Sequence, residues 1–175
     1  MTFEKTLALP KIDTASLARF TALLSVAILA PLVHNQILTG SLVNATLFIA
    51  AATLGLGAAV LISFLPSLFA LLTGTLPLAL APLLPFIMLS NILLVLSFTA
   101  FSKSNFWWRI SLAATLKFVF LYLVSSLAVK LLFGGALIGV ATIMLSWPQL
   151  LTALLGGVLA FVVLKNLSVY DQQSK

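Results

Sequence analysis

The feature that most limits how this chain can fold is the absence of acidic residues between Asp13 and Asp171, in a protein of 175 residues with three acids in all. Hydrophobic residues make up 62% of the sequence and charged residues 7%, against roughly 45–50% and about 25% in soluble globular chains. A soluble fold could not cover its surface with so few charged side chains. Because the apolar stretches have the length of membrane-crossing helices, the sequence predicts an all-α integral membrane protein.

Composition also excludes several kinds of chemistry. The chain has no cysteine and one histidine, His34, so disulfides, thiolate clusters and multi-histidine metal centres are not expected. Without acids in the membrane, neither a carboxylate proton relay nor a magnesium phosphotransferase site is expected. The sequence also lacks the rhomboid-like Gly-x-Ser-Gly signature and the Asp-rich motif of CDP-alcohol phosphotransferases. We therefore expect no enzymatic activity, no metal and no cofactor.

The length of the apolar stretches predicts six membrane spans in one domain, over residues 1–175. A span needs about 20 apolar residues to cross a hydrocarbon core of about 30 Å. Residues 37–72 carry no charge and would form a helix of about 54 Å if they did not turn; the turn is predicted at residues 53–57, which contain two glycines. The predicted spans are residues 15–33, 37–54, 56–72, 83–101, 106–133 and 147–167.

Two segments, residues 15–33 and residues 136–146, allow alternative interpretations. Residues 15–33 follow basic residues, as a signal peptide would, but Pro31 after Ala30 makes a poor cleavage site, so they are predicted to be a retained first span. Residues 136–146 are apolar but too short to cross the membrane. They are expected either to extend a helix or to cover one face of the bundle.

The distribution of basic residues predicts the orientation. Six spans place both termini on one side, together with most of the cations: Lys5, Lys11, Arg19, Lys103, Arg109, Lys165 and Lys175. Only Lys130 and His34 approach the other side, and a five-span arrangement would spoil this asymmetry. The positive-inside rule then predicts cytoplasmic termini for a multi-pass protein of the plasma membrane. The net charge of +6 is explained by this pattern, so nucleic acid is not an expected partner.

A first group of polar residues surrounds the connection between spans one and two, where His34, Asn35 and Gln36 are followed by Thr39 and Asn44. One interpretation is a solvated loop with a helix-capping asparagine. The other is the polar rim of a binding site open to the outside, because these side chains offer hydrogen-bond donors and acceptors with little fixed charge.

Four further polar residues fall within or at the edge of predicted spans. Asn91 lies about 12 Å below the outer edge of span four and is expected to face the bundle interior, where it bonds a neighbouring helix or a ligand. Lys117 is the one deep charge, which costs about 2.5–3.5 kcal/mol; it either reaches toward the cytoplasm or attracts an anionic ligand. Gln149, with Thr152, begins span six as a helix end beside Pro148 or as a ligand contact.

Small residues on span one suggest a protein partner. Ala18 and Ala22 form a small-xxx-small pattern, which lets helices pack closely. Their position near the cytoplasmic half of the span is one where another protein could dock. Gly156 and Gly157 in span six likewise permit close packing.

Taken together, residues 15–167 resemble the substrate-binding S component of energy-coupling factor (ECF) transporters. The resemblance rests on six predicted spans in fewer than 200 residues, on basic termini predicted to be inside, and on three sequence matches. These are Ala18-x-x-x-Ala22 in the first span, Leu38-Thr-Gly-Ser-Leu-Val-Asn44 leading into the second, and Leu151-Thr-Ala-Leu-Leu-Gly-Gly157 in the last.

This resemblance implies capture of a small water-soluble micronutrient, a vitamin or a precursor, from outside the cell. It also implies partners, namely a membrane T component, which the Ala18/Ala22 pattern would contact, and two cytoplasmic ATPases; the chain itself has no Walker A sequence. A ligand in the outer half would meet His34, Asn35, Gln36, Asn91, Lys117 and Gln149. The chain begins Met1-Thr2-Phe3, without the histidine of the metal-type S components, so nickel and cobalt are disfavoured.

Two other functions remain open from the sequence. A non-transport scaffold or assembly protein would use the small-residue faces alone and would have no internal cavity. A stand-alone channel or carrier is disfavoured, because six short spans with few polar residues leave little room for a continuous pathway.

Overall fold

The computed structural model describes residues 13–127 and 136–167. Lys5, Lys11, Lys130, Lys175 and the end of the predicted fifth span lie outside the described residues. Within them the chain forms α-helices and short 3-10 segments and no β-strand. The α-helices are α1 (Thr14–Leu29), α2 (Gln36–Thr53), α3 (Leu56–Leu72), α4 (Leu84–Ala100), α5 (Phe106–Leu127), α6 (Ala136–Met144) and α7 (Trp147–Asn166).

The short connections make the helices from α1 to α5 successively antiparallel, so the bundle has two ends. We call them the His34 end, which carries the α1–α2 connection, and the Lys103 end, which carries the α4–α5 connection. The 3-10 segments Ala30–Val33 and Leu78–Leu83 extend α1 and precede α4.

Helix boundaries follow from local chemistry. The Asp13 carboxylate accepts a hydrogen bond from the Ala15 amide at the start of α1 (3.3 Å), and the Asn35 side chain caps α2; both satisfy amides that have no partner within the helix. The predicted turn in the long apolar stretch is present, since α2 ends at Thr53 and α3 begins at Leu56. Gly55 lies between them with φ +88°, a conformation that favours glycine.

Five apolar stretches of the described chain are long enough to cross a membrane. The remaining helix, α3, has 17 residues and is about 25 Å long, at the lower limit for a span. The prediction of an all-α membrane protein is therefore confirmed. Helix α6 is separated from α7 by two residues, and the two together make one long apolar stretch, Ile138–Asn166.

Helices α2 and α7 form the most extensive contact in the bundle. A Cβ atom added at Gly156 of α7 would lie 2.7 Å from the Cβ of Asn44 and 2.8 Å from the amide nitrogen of Ala45. One added at Gly40 of α2 would lie 2.9 Å from the Thr152 side chain. The missing side chains let the two backbones approach closely, which brings α2 and α7 together along one wall of the site described below.

The main apolar core fills the half of the bundle nearer the Lys103 end. Phe48 and Phe98 pack with ring centroids 5.0 Å apart, and Phe106 meets Phe98 edge-on at 5.8 Å. Arg109 belongs to this cluster, because its Nε donates to the Phe98 carbonyl oxygen (3.0 Å) and its guanidinium lies 3.9 Å from the Phe98 ring centroid. Arg109 is one of the cations that the sequence places on one side of the membrane, but its side chain is turned into the bundle and is 5% exposed.

Candidate binding cavity

A cavity of about 350 Å³ lies in the half of the bundle nearer the His34 end. Its rim residues His34, Asn35 and Gln36 are exposed, whereas Asn44, Asn91 and Lys117 are buried. All the residues predicted to bind a substrate line this one cavity: His34, Asn35, Gln36, Asn44, Asn91, Lys117 and Gln149. Their convergence from several helices and a connecting turn is a property of the fold that spacing in the sequence does not show.

Lys117 forms the floor of the cavity together with two asparagines. Its Nζ donates to Asn44 Oδ1 (2.8 Å) and to Asn91 Oδ1 (2.7 Å). Lys117, Asn44 and Asn91 are 3%, 1% and 3% exposed, respectively. The alternative in which Lys117 reaches toward the cytoplasm is wrong, because its amine is held between α2 and α4.

The floor continues into neighbouring helices through the amide groups of the two asparagines. Asn91 Nδ2 donates to the Ser63 carbonyl oxygen of α3 (3.3 Å). Asn44 Nδ2 donates to the Thr152 hydroxyl of α7 (3.3 Å), which in turn donates to the Gln149 carbonyl oxygen (3.2 Å). One chain of hydrogen bonds therefore joins α2, α3, α4, α5 and α7. Asn91 was predicted to face the bundle interior and to bond a neighbouring helix or a ligand. It faces the interior and bonds α3, and it also lines the cavity.

At the rim, helix ends rather than helix interiors supply the polar groups. Asn35 Oδ1 accepts from the amides of Ile37 and Leu38 (3.0 Å each), so the interpretation of a capping asparagine is confirmed for this residue. The preceding residue, His34, has φ +53°, and its Nδ1 lies 2.6 Å from the Leu32 carbonyl oxygen. Because that carbonyl can only accept, Nδ1 carries the hydrogen of this bond.

Two glutamine amides meet on a single carbonyl at the rim. Gln36 Nε2 (3.2 Å) and Gln149 Nε2 (2.9 Å) both donate to the Met144 carbonyl oxygen. Met144 ends α6, where carbonyl groups lack partners within the helix, and it lines the cavity. Segment 136–146 contacts α5 and α7. Met144, near its end, forms part of the cavity wall. This segment both adjoins α7 in one long apolar stretch and contributes to the cavity wall.

Sequence reasoning missed two polar residues of this cavity: Thr75, whose hydroxyl donates to the Ala70 carbonyl oxygen (3.0 Å), and Ser67. Ser67 lies on α3 one helical turn nearer the His34 end than Ser63, is 8% exposed and lines the cavity. Its hydroxyl makes no hydrogen bond to any described residue, whereas the Ser63 hydroxyl donates to the Val60 carbonyl oxygen (2.6 Å). Serines in apolar helices usually bond their own backbone in this way, and for that reason the sequence offered no signal that separated Ser67 from the others.

The arrangement is suited to binding. Amide oxygens orient the Lys117 amine, and a lysine amine has three N–H donors, so one remains without a partner among the described residues. The lining also includes the apolar residues Val43, Pro66, Leu76 and Ile87. A molecule in the cavity would meet one cation at the floor, hydroxyl and amide groups around it and apolar side chains.

The residues predicted to contact a protein partner lie away from the cavity. Ala18 and Ala22 are exposed on the outward side of α1, which is the least buried of the candidate spans. Close packing at Gly156 and Gly157 is internal, because their neighbours are Asn44 and Ile110.

Fold and cavity together define a class, a multi-pass helical membrane protein with a cavity among its helices that both polar and apolar side chains line. No family profile matches the chain, and neither a curated protein nor a solved structure shows significant similarity to it.

Proposed function

We propose that this protein is the membrane-embedded capture subunit of an ECF-type importer for a small water-soluble micronutrient. The observation that carries the proposal is the buried amine of Lys117 at the floor of the cavity, held by two amide oxygens. The sequence has no acidic residue in any of the predicted spans. Isolated charges in a membrane are costly and mark binding or transport sites, so a bound solute is the natural partner of this one.

The size of the cavity and its position fit capture from one side. Its volume of about 350 Å³ falls within the range of small-molecule sites, roughly 300–1,000 Å³. The described cations other than Lys117 are Arg19, Lys103, Arg109 and Lys165, and they lie toward the Lys103 end. With that end in the cytoplasm and the chain in the cell membrane, the cavity rim faces outward, where a nutrient would arrive.

Energy for release would come from partners. The chain lacks a Walker A sequence, so a T component and two cytoplasmic ATPases would complete the importer. The exposed small side chains of Ala18 and Ala22 on α1 provide a surface on which another membrane helix could pack closely.

The alternative of a membrane scaffold has support in the hydrogen bonds between helices, Asn91 to Ser63 and Asn44 to Thr152. A scaffold, however, would gain stability by filling the cavity with apolar side chains, because buried charges cost more than packed hydrocarbon. The capture subunit explains both the bonds and the cavity, so it is the function we favour.

Binding tests the proposal directly. Protein purified in mild detergent should carry a small molecule that is absent from the Lys117→Met variant. Lys103→Met is the matched control, because it removes the same charge from an exposed loop and should leave binding unchanged. Equal small-molecule content in wild type and Lys117→Met would count against capture in this cavity.

Partner docking is tested separately. Ala18→Leu with Ala22→Leu should reduce copurification of a membrane subunit and an ATPase without loss of the bound solute. Ser111→Leu with Thr115→Leu is the matched control, since these two residues are also four apart and exposed, but on α5. If the α1 double variant retains its partners as well as the α5 control does, α1 is not the docking helix.

A further inference from the structure

The lining of the cavity narrows the chemistry of its ligand, an inference that rests on the proposed function. We propose that the site takes a molecule with a single carboxylate and an amphipathic body, the carboxylate lying on Lys117 Nζ and the Ser67 hydroxyl. The argument uses the number of charges, the number of free donors and the size of the cavity.

Charge balance among the described lining residues favours a single negative group. Among the described residues that line the cavity, Lys117 is the only lysine or arginine, and its two partners are neutral amides. A neutral ligand would leave the ammonium without a counter-charge in a poorly solvated site, and such a burial is costly. A phosphate monoester carries about −1.5 to −2 charges and would leave negative charge uncompensated. A monocarboxylate matches the site.

The number of free donors, one on Lys117 and one on Ser67, equals the number of oxygens in a carboxylate. Lys117 uses two of its three N–H donors on Asn44 and Asn91, which leaves one for the first oxygen. Ser67 offers a hydroxyl that is not bonded to a described residue, on the helix turn adjacent to Ser63, the residue that anchors Asn91. A phosphate group usually requires more donors than this, from a guanidinium fork or several backbone amides.

The size and the remaining lining of the cavity indicate the size and polarity of the rest of the ligand. The cavity volume of about 350 Å³ corresponds to that of about a dozen liquid waters, so the ligand is small. Val43, Leu76 and Ile87 contribute apolar side chains to the lining, while Gln36 and Gln149 at the rim have side-chain oxygens that make no bond to the described residues. A body that is apolar along its length and carries a hydrogen-bond donor at the far end fits this distribution.

Mass spectrometry of the bound molecule provides the first test. Small molecules released from wild type, Lys117→Met and Lys103→Met are coupled to an isotope-coded amine that labels each carboxyl once. We expect a species that is at least tenfold depleted in Lys117→Met alone and that takes up a single label. A depleted species with no label, with more than one label or with phosphorus would overturn the monocarboxylate inference while leaving solute capture standing. The absence of any depleted species would overturn both.

A second test does not depend on a variant that folds. Wild-type protein freed of ligand is titrated with 3-(4-hydroxyphenyl)propanoate and with its primary amide, which has nearly the same shape and no charge. Because a hydrogen bond to a charged group is worth about 1.5–3 kcal/mol, the carboxylate should bind about ten- to a hundredfold more tightly. Ser67→Ala should reduce this preference severalfold. Absence of a preference for the carboxylate in wild type would overturn the inference.

Discussion

The contact between α2 and α7 offers a sharp prediction at Gly156. A Cβ atom at this position would lie 2.7 Å from Asn44 Cβ and 2.8 Å from both the Ala45 nitrogen and the Ser41 carbonyl oxygen. Two of these three atoms belong to the backbone of α2, so no side chain can rotate to relieve the contact. An ordinary Cβ contact begins at 3.4 Å, and α2 and α7 would therefore have to separate by about 0.7 Å, a large shift for close-packed helices.

The magnitude for Gly156→Ala follows from two opposing effects. Overpacking a tight contact costs about 1–3 kcal/mol, and the rigid neighbours place this site near the upper value. Replacing a glycine within a helix by alanine returns up to about 1 kcal/mol. We expect a net loss of about 2 kcal/mol, or a decrease in Tm of about 4–8 °C by the scaling for chains of this length.

Thermal unfolding in detergent, followed by tryptophan fluorescence, measures this effect. Gly139→Ala is the matched control, because Gly139 lies within α6 and nothing lies within 4 Å of its added Cβ; its Tm should stay equal or increase. Gly156→Ala should also weaken solute binding, since Asn44 is one of the residues displaced. If the two variants have the same Tm, the close approach of α2 and α7 is not as described.

Three further predictions concern single side chains. Asn91→Asp supplies a carboxylate 2.7 Å from the Lys117 amine, so it should abolish binding of an anionic solute. Titration with the propanoate probe measures this, and retained binding would contradict the role of the amine. Asn35→Ala removes the cap of α2 and should lower the free energy of unfolding by about 1 kcal/mol, or Tm by about 2–4 °C. Asn35→Ser should retain most of the stability that the cap contributes. An unchanged Tm for the alanine variant would refute the capping argument. Ser41→Ala should leave Tm unchanged or higher, because the buried Ser41 hydroxyl has no partner within the described ranges and an apolar replacement removes that penalty; a decrease of several degrees would contradict this.

Much of the fold could be predicted because the lipid environment imposes simple rules. Apolar length predicts spans, and the glycine-containing segment after Thr53 is the turn that the long charge-free stretch requires. The same rules single out Asn44, Asn91 and Lys117, because polar side chains in the hydrocarbon region are energetically costly and usually have a functional role. The burial of Arg109 could not be predicted in this way, since it depends on the Phe98 ring and carbonyl lying within reach.

The sequence by itself determined that this is a helical membrane protein, which side chains are out of place in lipid and that no acid is available to neutralise Lys117. These are properties of composition and of position along one helix. Only the tertiary structure decided that α2, α4 and α5 bring Asn44, Asn91 and Lys117 within hydrogen-bonding distance, and that Ser67 joins the cavity that they line. The physical reason is that packing contacts between helices, such as those at Gly40 and Gly156, set the rotation of each helix about its axis. These contacts cannot be predicted from the sequence of one helix alone.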